Sequence, residues 1–179
     1  MRVCYRACIF FLPPYRVFRQ SITKTKTPPM GSRLLKQWHG MLGLSRQSPP
    51  SWNRDRLREE LRERQTANTF WQKLSETSDV FFSISRARYD GFPVRKLPAF
   101  VPSRHFLVYA YMMAKYTSRW KFYRTAVVLC NAPHYGLVRE VVNPSKDHKL
   151  NEVAFRHGIN PVEFGRVACQ LRRVWPLLP

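Results

Sequence analysis

The stretch Ser103–Pro133 reads SRHFLVYAYMMAKYTSRWKFYRTAVVLCNAP, and its spacing decides the fold. Phe106, Tyr109, Met113, Tyr116, Trp120, Tyr123 and Val127 recur at intervals of three and four, the repeat that lines one face of an α-helix. Leu107, Ala110 and Ala114 form a second flank and predict a helix buried on more than one side. Ser103 is expected to cap this helix, and Asn131-Ala132-Pro133 to close it just past Cys130. A helix of that length is the spine of an all-α fold, a small helical bundle.

On its C-terminal side the sequence continues in helical texture. Tyr135 to Val142 predicts a short helix or turn, and Asn143-Pro144-Ser145-Lys146-Asp147 a loop with a start signal at its end. Two helices are expected next, Lys149 to His157 and Pro161 to Trp175. Their junction is specific. With Gly158 at the turn, Ala154 lies four residues before it, Val153 five before, Ile159 just after, and Phe164 and Val167 six and nine after. A small residue lets two helices approach, glycine supplies a left-handed turn, and the apolar set forms a shared seam. Asn160-Pro161-Val162-Glu163 opens the second helix as a capping box with proline at the tolerant first position. Over about 20 residues this segment resembles the DNA-binding helix-turn-helix, a resemblance that implies base reading by the second helix. It departs in chemistry, because the start of that helix offers Val162, Glu163 and Gly165 with the single cation Arg166.

Toward the N-terminus, Leu57, Leu61, Arg64, Ala67, Trp71 and Leu74 share one helical face behind an N-cap at Asn53 with Asp55 in the first turn. On the opposite face, Arg56–Glu60 and Glu60–Arg64 predict i,i+4 ion pairs on a solvated surface. A break is expected over Ser75 to Asp79, with Ser78 or Asp79 capping a second short helix through Val80, Phe81, Ile84 and Ala87 that Gly91 ends. Sparse β-branching favours helix over strand for Val80–Ile84. Gly91 to Pro102 holds three prolines and predicts an extended linker packed across the body through Phe92, Val94, Leu97 and Phe100.

Charge divides the chain. The first acidic residue is Asp55, and the preceding 54 residues carry ten Lys and Arg and no carboxylate. An acid-free, arginine-bearing, hydroxyl-containing N-terminus has the composition of a mitochondrial presequence. Residues 1–50 are therefore expected to be a presequence and disordered leader, and residues 51–179 a single basic helical domain in the mitochondrial matrix; a nuclear or cytosolic basic tail is the alternative. Met30 and Met41 are further candidate start sites, and Met30–His39 is itself a short basic amphipathic segment.

Residues 55–179 hold 21 basic against 11 acidic groups, which suits an anionic partner. Cys130 and Cys169 have apolar neighbours and read as buried thiols. No P-loop, G-x-G-x-x-G, G-x-S-x-G or H-E-x-x-H is present, and no metal or cofactor is implied. No apolar run approaches the roughly 20 residues a membrane helix needs.

The segment Lys115–Arg124 interleaves cations with aromatic rings, the ingredients of RNA stacking and phosphate contact. Lys115, Arg119, Trp120, Lys121 and Arg124, with Arg166, are the candidate nucleic-acid-binding residues. Within it Phe122-Tyr123-Arg124 is similar to the Leu-Tyr-Arg tripeptide of the small mitochondrial assembly-factor family. The expected function is that of a non-enzymatic mitochondrial protein, an RNA- or ribosome-associated accessory or assembly component. A helix-turn-helix DNA-binding protein is one alternative, and a peripheral inner-membrane protein or respiratory-complex accessory subunit another.

Overall fold

A computed structural model describes residues 30–46, 50–95 and 102–175. Its helices, in chain order, are α1 (Met30–Leu42), α2 (Pro50–Thr66), α3 (Phe70–Tyr89), α4 (Pro102–Leu129), α5 (Asp147–Arg156) and α6 (Pro161–Val174), with a 3₁₀ turn at Tyr135–Leu137. The described residues form no strand, so the molecule is all-α, a small helical bundle.

The spine lies where the spacing put it, and two clusters of buried side chains are strung along it. The N-terminal half of α4 supplies Met112 and Tyr116 to a cluster with Leu35, Trp38 and Leu42 of α1, Leu57 of α2, and Val80, Phe81 and Ile84 of α3. The C-terminal half supplies Phe122, Tyr123, Ala126 and Val127 to a second cluster with Val138, α5 and α6. The flank expected at Leu107, Ala110 and Ala114 is exposed, and so is Phe106. The second buried side of α4 begins one turn later, at Met112, Lys115, Arg119, Phe122 and Ala126. Periodicity registered the aromatic face but passed over this one, because two of its members are cations.

Part of the segment expected as leader packs into the described helices, in α1. Leu35, Trp38, His39 and Leu42 are buried, and Trp38 Nε1 donates to Thr117 Oγ1 of α4 at 2.9 Å. The amphipathic pattern at Met30–His39 serves the core here. Residues 1–29 lie outside the described residues, as do Leu97 and Phe100 of the linker and the C-terminal Leu177-Leu178-Pro179.

The expected single helix from Asn53 to Leu74 is two. α2 starts at Pro50, so Asn53 is a buried helical residue and not a cap. The break falls at Ala67–Thr69, where Thr69 and Gln72 form a reciprocal capping box: Gln72 N donates to Thr69 Oγ1 and Thr69 N to Gln72 Oε1. That signal, T-x-x-Q, stands in the sequence and outweighs the continuous face, leaving Trp71 exposed. Ser75–Asp79, the expected break, is continuous helix, with Ser78 and Asp79 both buried in mid-α3. Gly91, at φ +85°, ends α3 as expected: Phe92 N donates to Ala87 O and Gly91 N to Arg88 O. Phe92 and Val94 are half-buried, as the packed linker requires.

At the α5–α6 corner the turn, the buried seam and the Asn160 cap match the reading, although Glu163 does not complete the expected capping box among the described hydrogen bonds. Gly158 has φ +64°, Val153, Ala154, Ile159, Phe164 and Val167 are all buried, and Asn160 Oδ1 accepts from the amides of Val162 and Glu163.

Candidate anion-binding surface and groove

The six candidate residues divide between interior and surface. Lys115 is 2% exposed and Arg119 6%. Lys115 Nζ donates to Asp79 Oδ2 and to Ser75 Oγ, both at 2.8 Å, and Tyr116 OH donates to Asp79 Oδ1 at 2.7 Å. Asp79 thus uses both oxygens to join α4 to α3. Burial pushes the Lys115 amine below its ordinary value, against the pull of Asp79. Arg119 lies with its guanidinium carbon 5.4 Å from the centre of the Tyr116 ring. Lys115 and Arg119, two of the candidate nucleic-acid-binding residues, thus lie in the interior.

Lys121 and Arg166 are exposed, and Trp120 and Arg124 half-buried. The Arg124 guanidinium sits 4.7 Å from the centre of the Trp120 ring and 5.8 Å from that of Tyr135, an exposed ring of the 3₁₀ turn. A cation held between two aromatic rings keeps its edge free for phosphate. Phe122 and Tyr123 are fully buried in mid-α4. The tripeptide they begin is core packing, with only Arg124 facing out.

α2 and α4 both pack mainly on α3, and a groove of about 1090 Å³ runs between them. Its wall along α2 includes Asn53, Arg56 and Glu63, its floor on α3 includes Glu76 and Asp79, and Lys115, Tyr116 and Arg119 face it from α4. The segment from Val141 to Lys149 closes one side.

The carboxylates of Glu60, Glu63 and Glu76 offer oxygens within 4.8 Å of one another. Glu60 is 1% exposed and bridged by Arg56 one turn earlier. Burial raises its pKa to about 7; Arg56 opposes the shift, while Asp79, Glu63 and Glu76 add to it. The Glu76 carboxyl is also raised, first by burial and then by Asp79. Such a cluster relieves its repulsion by holding protons. The expected solvated ladder of α2 is therefore half internal: Arg56–Glu60 forms, but Arg64 turns away to donate to Thr77 Oγ1 at 3.1 Å.

Sequence reasoning missed two further internal pairs. Arg86 binds Asp90 at 2.7 Å and donates to the carbonyls of Leu44 and Ser45, tying α3 to the end of α1. Glu140 accepts from Arg156 at 2.5 Å and lies 3.2 Å from His157 Nε2. The first is an i,i+4 pair visible in the sequence; the second spans a loop and has no local signature. Cys130 is half-buried and Cys169 exposed, both free thiols, so the expectation of two buried thiols fails at Cys169. Among the described residues no helix is long and apolar enough to cross a membrane. Comparisons with protein-family models, with curated proteins and with solved structures find no match.

Proposed function

We propose that this chain is a non-enzymatic mitochondrial protein that associates with RNA or a ribonucleoprotein, such as the ribosome, through its cationic surface. One observation carries the reading. Of the 11 carboxylates, Glu60, Asp79, Asp90 and Glu140 are buried and Glu76 is half-buried, leaving Asp55, Glu59, Glu63, Asp147, Glu152 and Glu163 outside. Most of the cations remain exposed, so the surface is more basic than the composition. Internal pairing has consumed the charges that would otherwise screen it. Lys121, Arg124 on its two rings, and Arg166 are the surviving contact residues, and counterion release from the RNA supplies the affinity.

The test compares two triple variants at fixed salt for RNA affinity and co-sedimentation with ribosomal subunits. Lys121, Arg124 and Arg166 are replaced by Gln in one, and Arg62, Lys73 and Arg88, exposed elsewhere, in the other. The first set lowers affinity and flattens the plot of log affinity against log salt by about 0.7 per lost contact. Equal losses from both sets show that only bulk charge matters, and absence of RNA binding by the wild type near physiological salt removes the reading. The mitochondrial part rests on residues 1–29, which hold six Lys and Arg and no carboxylate. Fused to a reporter, they direct it to mitochondria; a diffuse cytosolic signal removes that part.

A second reading has its own support in the α5–α6 corner. α6 exposes Arg166, Gln170 and Arg173 at intervals of four and three, a polar stripe on the helix that a helix-turn-helix would lay in the major groove. Sequence-dependent binding to duplex DNA separates this reading from the first.

A further inference from the structure

Arg119 is a buried cation with no ion-pair partner among the described residues. It is nine-tenths buried, its Nε has no hydrogen-bond partner, and among the described residues no carboxylate forms an ion pair with it. The carboxylates that share its neighbourhood are committed elsewhere. Asp79 gives one oxygen to Lys115 and the other to Tyr116, while Glu140 is held by Arg156 and His157. Tyr116 presents its ring to the guanidinium and so orients it without neutralising it. A buried cation without a counter-charge is strongly unfavourable unless a partner arrives.

The groove is where a partner enters. Arg119 lines it, and so does Asn53, 3% exposed, whose Nδ2 is a second buried donor with no acceptor. Lys146, exposed, adds a cation along the 141–149 side. Glu59, Glu63, Glu76 and Asp79 also line the groove, so it is polar along its length, and Arg119 marks the point where a buried cationic donor is left without a partner. We infer that the groove between α2 and α4 is a binding site for a small oxyanion, phosphoryl or carboxylate, whose oxygens take the fork of Arg119. This site is separate from the Lys121–Arg124 surface and does not depend on RNA binding.

The experiment uses the full chain and two probes, inorganic phosphate and citrate, each against sodium chloride at matched ionic strength. Thermal unfolding and the fluorescence of Trp52 and Trp71, which line the groove, are the readouts. The melting temperature of the wild type rises saturably with phosphate, citrate or both; phosphate alone assigns a phosphoryl ligand, citrate alone a carboxylate, and both a site that reads the oxyanion itself. Arg119→Met, freed of an unbalanced charge, is at least as stable as the wild type in chloride, and its anion binding is weaker by about tenfold or more. Arg119→Lys, which keeps the charge but not the fork, is intermediate. Arg88→Gln, exposed and outside the groove, keeps the full response. An Arg119→Met chain that is destabilised or unfolded in chloride shows that the protein already satisfies the guanidinium, and the inference falls. It falls equally if neither probe raises the wild-type melting temperature, or if the rise survives in Arg119→Met.

Discussion

Two tyrosines of α4, seven residues apart on one face, show how little a residue's type says about its role. Tyr116 and Tyr123 are both buried, and burial raises the pKa of both hydroxyls. Tyr116 donates to Asp79, whose other oxygen holds Lys115, so its hydroxyl is one point of a closed network. The Tyr123 hydroxyl has no hydrogen-bond partner among the described residues. Removing each hydroxyl therefore has opposite signs. Tyr116→Phe takes a donor from a buried carboxylate and costs about 1.5–3 kcal/mol, whereas Tyr123→Phe deletes an unsatisfied polar atom and gains up to about 1 kcal/mol. Chemical denaturation of the two variants measures this directly; equal losses would place a partner on Tyr123. At the same scale lies the reason that Lys115 and Arg119 misled. A cation on a helix face reads as solvent-facing because burial is costly without a partner; the partner of Lys115, Asp79, is 36 positions away on another helix, and Arg119 is buried with no ion-pair partner among the described residues.

Helix C-termini were legible because their signals are local, whereas the N-caps expected at Asn53, at Ser78 or Asp79, and at Ser103 all lie inside helices. α3, α4 and α5 finish in the same way, with a left-handed residue after the cap whose amide and the next close back on the last turn: Gly91, Asn131 and Gly158. Glycine or asparagine at such a place costs little, and the punctuation could be read directly. An ideal Cβ on Gly158 would meet nothing within 4 Å, so the turn there needs glycine for its backbone alone. Gly158→Val accordingly costs about 1–3 kcal/mol through φ, and Gly158→Asn distinctly less. An unchanged melting temperature in the valine variant would mean that α5 and α6 do not meet through this turn. The errors fall where two local signals competed. The capping box at Thr69 and Gln72 ended one helix and started another inside an unbroken apolar face, and Ser75–Asp79 looked like a break because hydroxyls and a carboxylate favour caps, whereas in the fold they are partnered from α4 and within the helix. Of the candidate surface, Lys121 and Arg166 were legible as exposed cations, and Arg124 is half-buried against aromatic rings. The groove was not, since it exists only once α2 and α4 have both been laid on α3.

At the scale of the molecule, two buried titratable groups pull stability in opposite directions with pH. Glu60 has its folded pKa raised from 4.5 to about 7, first by burial, with Asp79, Glu63 and Glu76 adding and Arg56 opposing. The folded state holds that proton more tightly than the unfolded chain. Its contribution is fully present below pH 4.5 and is lost as the pH rises toward 7. His39 is the reverse case: burial first, then Arg86, lowers its pKa from 6.5 to about 3, so the folded state keeps the ring neutral. Ser85 Oγ donates to Phe82 O, which leaves His39 Nε2 to donate to Ser85 at 2.9 Å, while Trp38, Phe82 and Tyr89 surround the ring. The His39 contribution is complete above pH 6.5 and is lost as the pH falls toward 3. Between pH 4.5 and 6.5 the two trends offset each other, and the wild type is comparatively insensitive there. Glu60→Gln removes one arm. Its stability exceeds that of the wild type at pH 8, by at most a few kcal/mol since Arg56 loses its partner, and below pH 6.5 it falls more steeply with acid than the wild type does. Denaturation midpoints for both proteins from pH 4 to 8 decide the matter, because parallel curves would mean that Glu60 ionises in the folded protein as readily as in the unfolded chain.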